Sequence, residues 1–263
     1  MMTQRLRHAL TIMLIAALPP ATNANSVPDA HTIVMRSDQV RNPPGSYRMS
    51  IDITDYQQGR VSDEMRVTVY SKPEESSGLY RTLVDIEAPR KDRGKLILRN
   101  AQDLWFYDPA AKSSVRISPQ QRLLGQVSNG DVMSSNFAKD YQSQLLGIES
   151  IRDASKTQRE CYLLALESTN DRVTYPKIRY WVSTDHFYPI KGEFFSHSGQ
   201  RLKVAYYRAF ESVLGATRPT EVLILDAVDR KKVTRMRFDT FEHLDIADHW
   251  FQRSWLPRHQ SQP

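Results

Sequence analysis

The sequence predicts a mainly β protein of the α+β kind, built on one extensive antiparallel sheet. Three observations carry that expectation. Apolar and polar residues alternate with period two over many segments, turn-forming residues recur at short intervals between them, and few segments show a helical period.

The elements follow in order. Residues 28–41 have helical spacing, with Ile33, Val34 and Val40 among charged partners, and Asn42-Pro43-Pro44-Gly45 stops the helix. In residues 46–55, Tyr47, Met49, Ile51 and Ile53 share one strand face, and Arg48, Ser50, Asp52 and Thr54 share the other. Residues 61–70 repeat the pattern with Met65, Val67 and Val69, after a turn at Gln57-Gln58-Gly59. Residues 79–87 alternate Tyr80, Thr82, Val84 and Ile86 with charged residues, and Lys91-Asp92-Arg93-Gly94 turns the chain. Strands at 95–99 and 103–108 flank Asn100-Ala101-Gln102, and Val115 and Ile117 mark another. From Ser118 to Gly147 the alternation stops, and Ser, Gln and Asn predict short helices and loops. Strands return near 160–168, 177–184, 187–195, 201–211, 218–227 and 231–240, with a short helix near 245–251. No composition shift, repeat or low-complexity tract divides residues 25–263, so one domain is expected.

Several strands are apolar on both faces. Trp105 and Tyr107 oppose Leu104 and Phe106, and Phe194-Phe195 and Tyr206-Tyr207 are neighbours. Such a sheet either packs on filler elements at both faces or curves around an apolar molecule that the chain does not supply. The shortage of helices keeps a ligand cavity among the expectations.

Residues 1–24 read as a secretory signal peptide. Arg5, Arg7 and His8 form a basic start, an apolar run extends from Ala9 to Leu18, and small residues end in Thr22-Asn23-Ala24. The run is about half of the ~20 residues that a bilayer-spanning helix needs. Cleavage is expected after Ala24, with the periplasm as the destination. The single cysteine, Cys161, cannot carry a lipid anchor at that cleavage site and excludes an internal disulfide; it is expected in the core. The formal net charge is +6, with basic and acidic residues interleaved as in Arg90-Lys91-Asp92-Arg93. That pattern does not fit a nucleic-acid reader. Transient contact with an anionic membrane surface fits it better.

Signatures of catalysis are missing. The sequence has no Gly-x-Ser-x-Gly elbow, no His-Glu-x-x-His, no phosphate-cradling loop and no paired-cysteine motif, so neither an enzyme nor a cofactor is expected. His243, Asp245, Asp248 and His249 are the densest titratable group, but their spacing fits neither one helix face nor one strand face, and they read as polar surface. Asp185-His186 reads as a turn.

A family resemblance rests on several segments. They are Ala88-Pro89-Arg90-Lys91-Asp92-Arg93-Gly94-Lys95, Asp103-Leu104-Trp105-Phe106-Tyr107-Asp108-Pro109, Val115-Arg116-Ile117-Ser118 and Met133-Ser134-Ser135-Asn136-Phe137. Thr174-Tyr175-Pro176-Lys177-Ile178-Arg179-Tyr180-Trp181-Val182, Lys203-Val204-Ala205-Tyr206-Tyr207-Arg208 and the tail residues Trp250-Phe251 and Trp255-Leu256 add to it. Together they resemble the outer-membrane lipoprotein-sorting proteins, in the superfamily of Lol-type periplasmic lipoprotein carriers. The resemblance implies a half-open β-barrel, a curved antiparallel sheet with a few helices covering its concave side. It also implies a cavity for acyl chains, lipid or acylated lipoprotein as cargo, and an inner-membrane transporter or permease as a possible partner. The apolar strand faces would line that cavity: Met49, Ile51, Ile53, Met65, Val67, Val69, Val84, Trp105, Tyr107, Trp181 and Phe194. The competing expectation is an adaptor subunit of an export permease, with a filled core and no cargo.

Overall fold

The structure, a computed structural model, describes residues 27–100, 103–168, 170 and 172–259. Residues 1–24, expected to be a signal peptide, lie outside the described residues. Helix α1 (Ala30–Arg41) is capped by Asp29, whose carboxylate accepts the Thr32 N–H at 2.9 Å. Six strands follow as a meander: β1 (Tyr47–Gln57), β2 (Arg60–Pro73), β3 (Tyr80–Ala88), β4 (Leu96–Asn100), β5 (Asp103–Asp108) and β6 (Ser113–Ile117). The chain then crosses one face of the sheet. This crossing segment holds the hairpin β7 (Arg122–Leu124) and β8 (Val127–Ser128), a 3-10 turn at Asn129–Val132 and the one-turn helix α2 (Phe137–Asp140). A second meander returns through β9 (Tyr141–Arg152), β10 (Gln158–Ser168), β11 (Lys177–Ser183), β12 (Pro189–Phe195), β13 (Arg201–Val213), β14 (Ala216–Asp226) and β15 (Lys232–His243).

The strand order β6-β5-β4-β3-β2-β1-β15-β14-β13-β12-β11-β10-β9 explains how this chain makes one sheet. It enters at the centre, walks to one edge, crosses over, and walks back from the other edge. The seam closes where β15 meets β1, pairing Ile51 with Phe238 and Ile53 with Met236. The edges β6 and β9 do not pair, so the curved sheet stays open, as the half-open barrel requires. Helix α1 and the crossing segment fill the concave side, where most of the core lies.

One expectation needs correction. The segment after Ser118 is not all loop and short helix: β7, β8 and the twelve-residue β9 lie within or begin in it. As an edge strand, β9 leaves Leu146 and Ile148 exposed, and the ladder slips opposite Leu163/Leu164. Both effects hide the period-two pattern. The short helix expected near 245–251 is a 3-10 segment, Asp248–Phe251, and a second one, Arg253–Arg258, follows it.

That tail also accounts for much of the two-faced apolar character. Ile246, Phe251 and Leu256 pack on the convex face against Tyr70, Leu83, Leu96, Leu98 and Tyr107. The Asn100 amide donates to the Phe251 carbonyl at 2.9 Å, and the buried His259 imidazole lies 3.3 Å from the Asp85 carboxylate. Asp248 bridges Lys72 and Arg81 at 2.8 and 3.0 Å, and His249 packs on Trp255. Hence Asp248, His249 and His259 help to hold the tail down, and among the described residues no group is arranged for a metal ion.

Cys161 lies in a convex-side cluster with Trp181 and Ile190 and is fully buried. Burial pushes its thiol up to about 12. The thiolate is the reactive form, so the native protein is expected to leave a disulfide-exchange reagent unreacted at mildly alkaline pH. One thiol per chain should react once denaturant is added; fast labelling of the native protein would contradict this packing.

Candidate functional site

Register places the floor of the concave side in rows. One row is polar: Tyr47, Ser71, Thr82 and Arg99 stand opposite one another across β1, β2, β3 and β4. Its partner is the crossing segment. The Ser134 hydroxyl sits 2.6 Å from the Tyr47 hydroxyl and 2.7 Å from that of Ser71, and Arg99 donates to the Ser134 carbonyl at 3.4 Å. The neighbouring rows are apolar, Met49-Val69-Val84-Ile97 and Ile51-Val67-Ile86. On the other wing, one row runs Tyr180-Gly192-Ala205-Ile224. Its two central residues offer no side chain and one methyl; the Phe194 ring covers Gly192, which leaves the hollow at Ala205.

A cavity of about 140 Å³ lies between this floor and the crossing segment. Met49, Phe194, Ala205, Val222, Ile224 and Met236 line it from the sheet, and Val132, Met133 and Phe137 cover it. Ligand pockets for small molecules are typically ~300–1,000 Å³. Here the crossing segment takes up most of the concave volume, acting as a plug.

Polar contacts pin the plug. Lys203 on β13 pairs with Asp131 and donates to the Gln126 carbonyl at 2.9 Å. Tyr175 donates to Asp131 at 3.0 Å, and the Asp131 carboxylate also accepts the Ser128 N–H at 2.7 Å. Thr234 accepts the Gln126 N–H at 2.8 Å and donates to Asp55 at 2.7 Å. Glycine is required twice in this segment: a Cβ at Gly125, whose φ is +52°, would overlap Asp55, and one at Gly130 would overlap the Thr174 hydroxyl.

Helix α1 is pinned beside it. The Ser37 and Tyr180 hydroxyls are 2.8 Å apart, and Asp38 accepts the Ala138 N–H at 2.8 Å. Arg41 pairs with Asp38, donates to the Ser135 carbonyl at 3.3 Å and stacks 3.8 Å over the Phe137 ring. Burial holds the Asp38 carboxyl above its ordinary value in spite of Arg41. Arg218 on β14 donates to the Gln39 and Val40 carbonyls at 2.7 and 2.8 Å.

The residues expected from the sequence to line a cavity divide by face. Met49 and Phe194 border the cavity itself. Ile51, Ile53, Met65, Val67, Val69 and Val84 are buried in the same concave core. Trp105 and Tyr107 lie on the convex face under the tail, and Trp181 sits in the Cys161 cluster, so these three are not cavity residues. Their strands alternate correctly, but period two does not say which parity faces inward. The charged residues Arg41, Arg99, Asp131, Asp140 and Lys203 also border the cavity and were missed. Arg99 shares parity with Ile97, and Lys203 with Ala205, which was the available signal. Asp131 and Asp140 sit in the crossing segment, where no period exists to read.

Comparison with known proteins joins this geometry to a family. A LolA superfamily protein from Nitrosomonas europaea is 34% identical, covers 87% of this chain and 100% of its own, and superposes with a TM-score of 0.78. The chain belongs to the LolA superfamily. A family model whose description reads "uncharacterized protein" matches residues 78–258. The LolA-type fold recurs in a DUF1329 family protein from Desulfovibrio piger, at 19% identity and a TM-score of 0.73 over 86% of this chain and 97% of the other. It recurs again in a putative outer membrane lipoprotein-sorting protein domain from Vibrio parahaemolyticus, at 19% identity and a TM-score of 0.72 over 87% and 98%. A search of curated proteins finds no match. Among the described residues no helix is long and apolar enough to cross a membrane.

Proposed function

We propose that this LolA-superfamily chain is a periplasmic, non-enzymatic carrier that takes the acyl chains of a lipid or lipoprotein into its concave side. The observation that supports this reading best is the largely apolar cavity of about 140 Å³ over the hollow at Ala205, bordered by Phe194, Ile224 and Met236. It is roofed by a segment held by the polar contacts above and by Val127, Val132, Met133 and Phe137 in the core. Each methylene withdrawn from water contributes about 0.8 kcal/mol, so an acyl chain that takes the place of these side chains replaces their apolar burial, and its further methylenes offset the lost hydrogen bonds. The signal-peptide pattern at residues 1–24 supports the address, since lipid crossing an aqueous compartment needs an apolar shelter.

Filling the hollow tests the reading. Ala205→Trp should leave the far-ultraviolet circular dichroism native-like while weakening the binding of the apolar dye phenylnaphthylamine about tenfold or more. The wild-type protein should co-purify with acyl lipids detectable by mass spectrometry. A wild-type chain that binds neither dye nor lipid would favour the adaptor reading, in which the concave side is permanent core.

A further inference from the structure

Five charged side chains border the cavity: Arg41, Arg99, Asp131, Asp140 and Lys203. Three of them are committed. Arg41 is engaged by Asp38 and the Phe137 ring, and Lys203 and Asp131 hold each other. The remaining two carry opposite charges and form no ion pair among the described residues. Arg99 donates only one long hydrogen bond, to the Ser134 carbonyl. Asp140 is 8% exposed and borders the same cavity. Burial raises its pKa, and Arg99 is the foremost charge acting against that rise. Arg41 and the Asn136 backbone N–H act on Asp140 in the same direction, and Arg99 and Asp140 are not joined as an ion pair.

A buried carboxylate is costly to leave without a counter-charge. Two unpaired opposite charges at one end of an apolar cavity form a receptor for a dipolar ion, one whose anion faces Arg99 and whose cation faces Asp140. The surroundings agree with this. Arg99, Asn42 and Ser135 are half-buried, so this end of the cavity reaches the surface, while its other end is walled by Ala205, Ile224 and Met236. An amphiphile would thread its chain inward and leave its head at that polar end.

We propose that the cargo is an acyl lipid with a zwitterionic phosphoethanolamine-type head, its phosphate held by Arg99 and its ammonium by Asp140. The proposal rests on the carrier reading above, and the test separates the two. Three lipids with the same single acyl chain compete with phenylnaphthylamine: a lysophosphatidylethanolamine, a lysophosphatidylglycerol and a monoacylglycerol. The wild-type protein should bind the ethanolamine lipid about tenfold more tightly than either of the others. Asp140→Asn, nearly isosteric, should bring the ethanolamine lipid down to the level of the glycerol phospholipid, with monoacylglycerol binding unchanged. Arg99→Gln should weaken both phospholipids and bring the lysophosphatidylglycerol to or below the level of the monoacylglycerol. Arg99→Lys and Asp140→Glu, which keep the charges, should retain part of the preference and guard against a variant that fails to fold. Equal binding of the three lipids by the wild-type protein overturns the head-group proposal and leaves the carrier reading standing. Binding of none overturns both.

Discussion

Asp131→Asn is expected to lower the unfolding free energy by about 3 kcal/mol at neutral pH, measured by urea denaturation. The substitution keeps an oxygen for the Ser128 N–H, turns the oxygen that accepts from Tyr175 into an amide donor that the Tyr175 hydroxyl can accept, and removes the charge. What it leaves behind is the Lys203 ammonium, 4% exposed on β13 and without its counter-ion. Burial already holds Lys203 below the ordinary lysine value even with Asp131 beside it. In the variant its pKa falls further below that of the unfolded chain. Once the folded protein begins to shed the Lys203 proton, the unfolded state binds more protons than the folded one, and stability rises with pH until the unfolded chain has shed its proton as well. The deficit relative to wild type should therefore be largest near neutral pH and shrink as the solution is made alkaline. A deficit that does not change with pH would mean that the lost term is hydrogen-bond geometry and not charge. The double variant Asp131→Asn/Lys203→Met removes both ions and should recover at least half of the loss, because replacing a buried pair with neutral groups is often close to neutral. On this account the pair sets where the plug sits more than how stable the sheet is.

The sequence made the sheet legible because most of its strands obey one rule. A strand covered on one face alternates, and β1 and β2 do so over their central stretches, with Met49, Ile51 and Ile53 facing Val69, Val67 and Met65 across the ladder. The rule fails at β9, an edge strand with solvent on its outer side, and in the plug, which lacks a period altogether. It also fails to say which face is inner. Trp105 and Tyr107 have the size and polarity of pocket residues, yet they pack under the tail because β5 turns its other parity, Leu104 and Phe106, to the concave core. The polar part of the site was illegible for a different reason. Lys203 and Asp131 are 72 positions apart, and Arg218 and Gln39 are 179 apart. Such pairings are made by the route of the chain from one sheet edge to the other, and local pattern carries no trace of that route.

Arg218→Met is expected to cost about 2–4 kcal/mol and to act on one end of one helix. The last carbonyls of a helix have no partner within it, and a cation placed there also meets the negative end of the helix dipole. Arg218 supplies both functions. It donates to the Gln39 and Val40 carbonyls and, through Nε, to the Val213 carbonyl at 3.2 Å, while remaining 3% exposed. Methionine fills the volume but leaves those three acceptors without their donor. The middle of α1 keeps its other ties, the Ser37–Tyr180 bond and the Asp38 contact with Ala138. Loosening should therefore begin at the C-terminal turn, next to Arg41 and Asn42, which border the cavity. Hydrogen exchange provides the readout: the Asn42 amide, bonded to the Asp38 carbonyl at 2.8 Å, should exchange faster in the variant, whereas the β1 and β2 ladder amides should slow or quicken only in step with global stability. Arg218→Lys should rescue only part of the loss, since one ammonium cannot reach both the helix end and the β13–β14 turn with the arginine fork's geometry. Uniform acceleration across the sheet would show that Arg218 supports the whole fold. Acceleration confined to the end of α1 would show that this helix end opens beside the cavity while the sheet stays intact, the local motion that the carrier reading proposed above calls for.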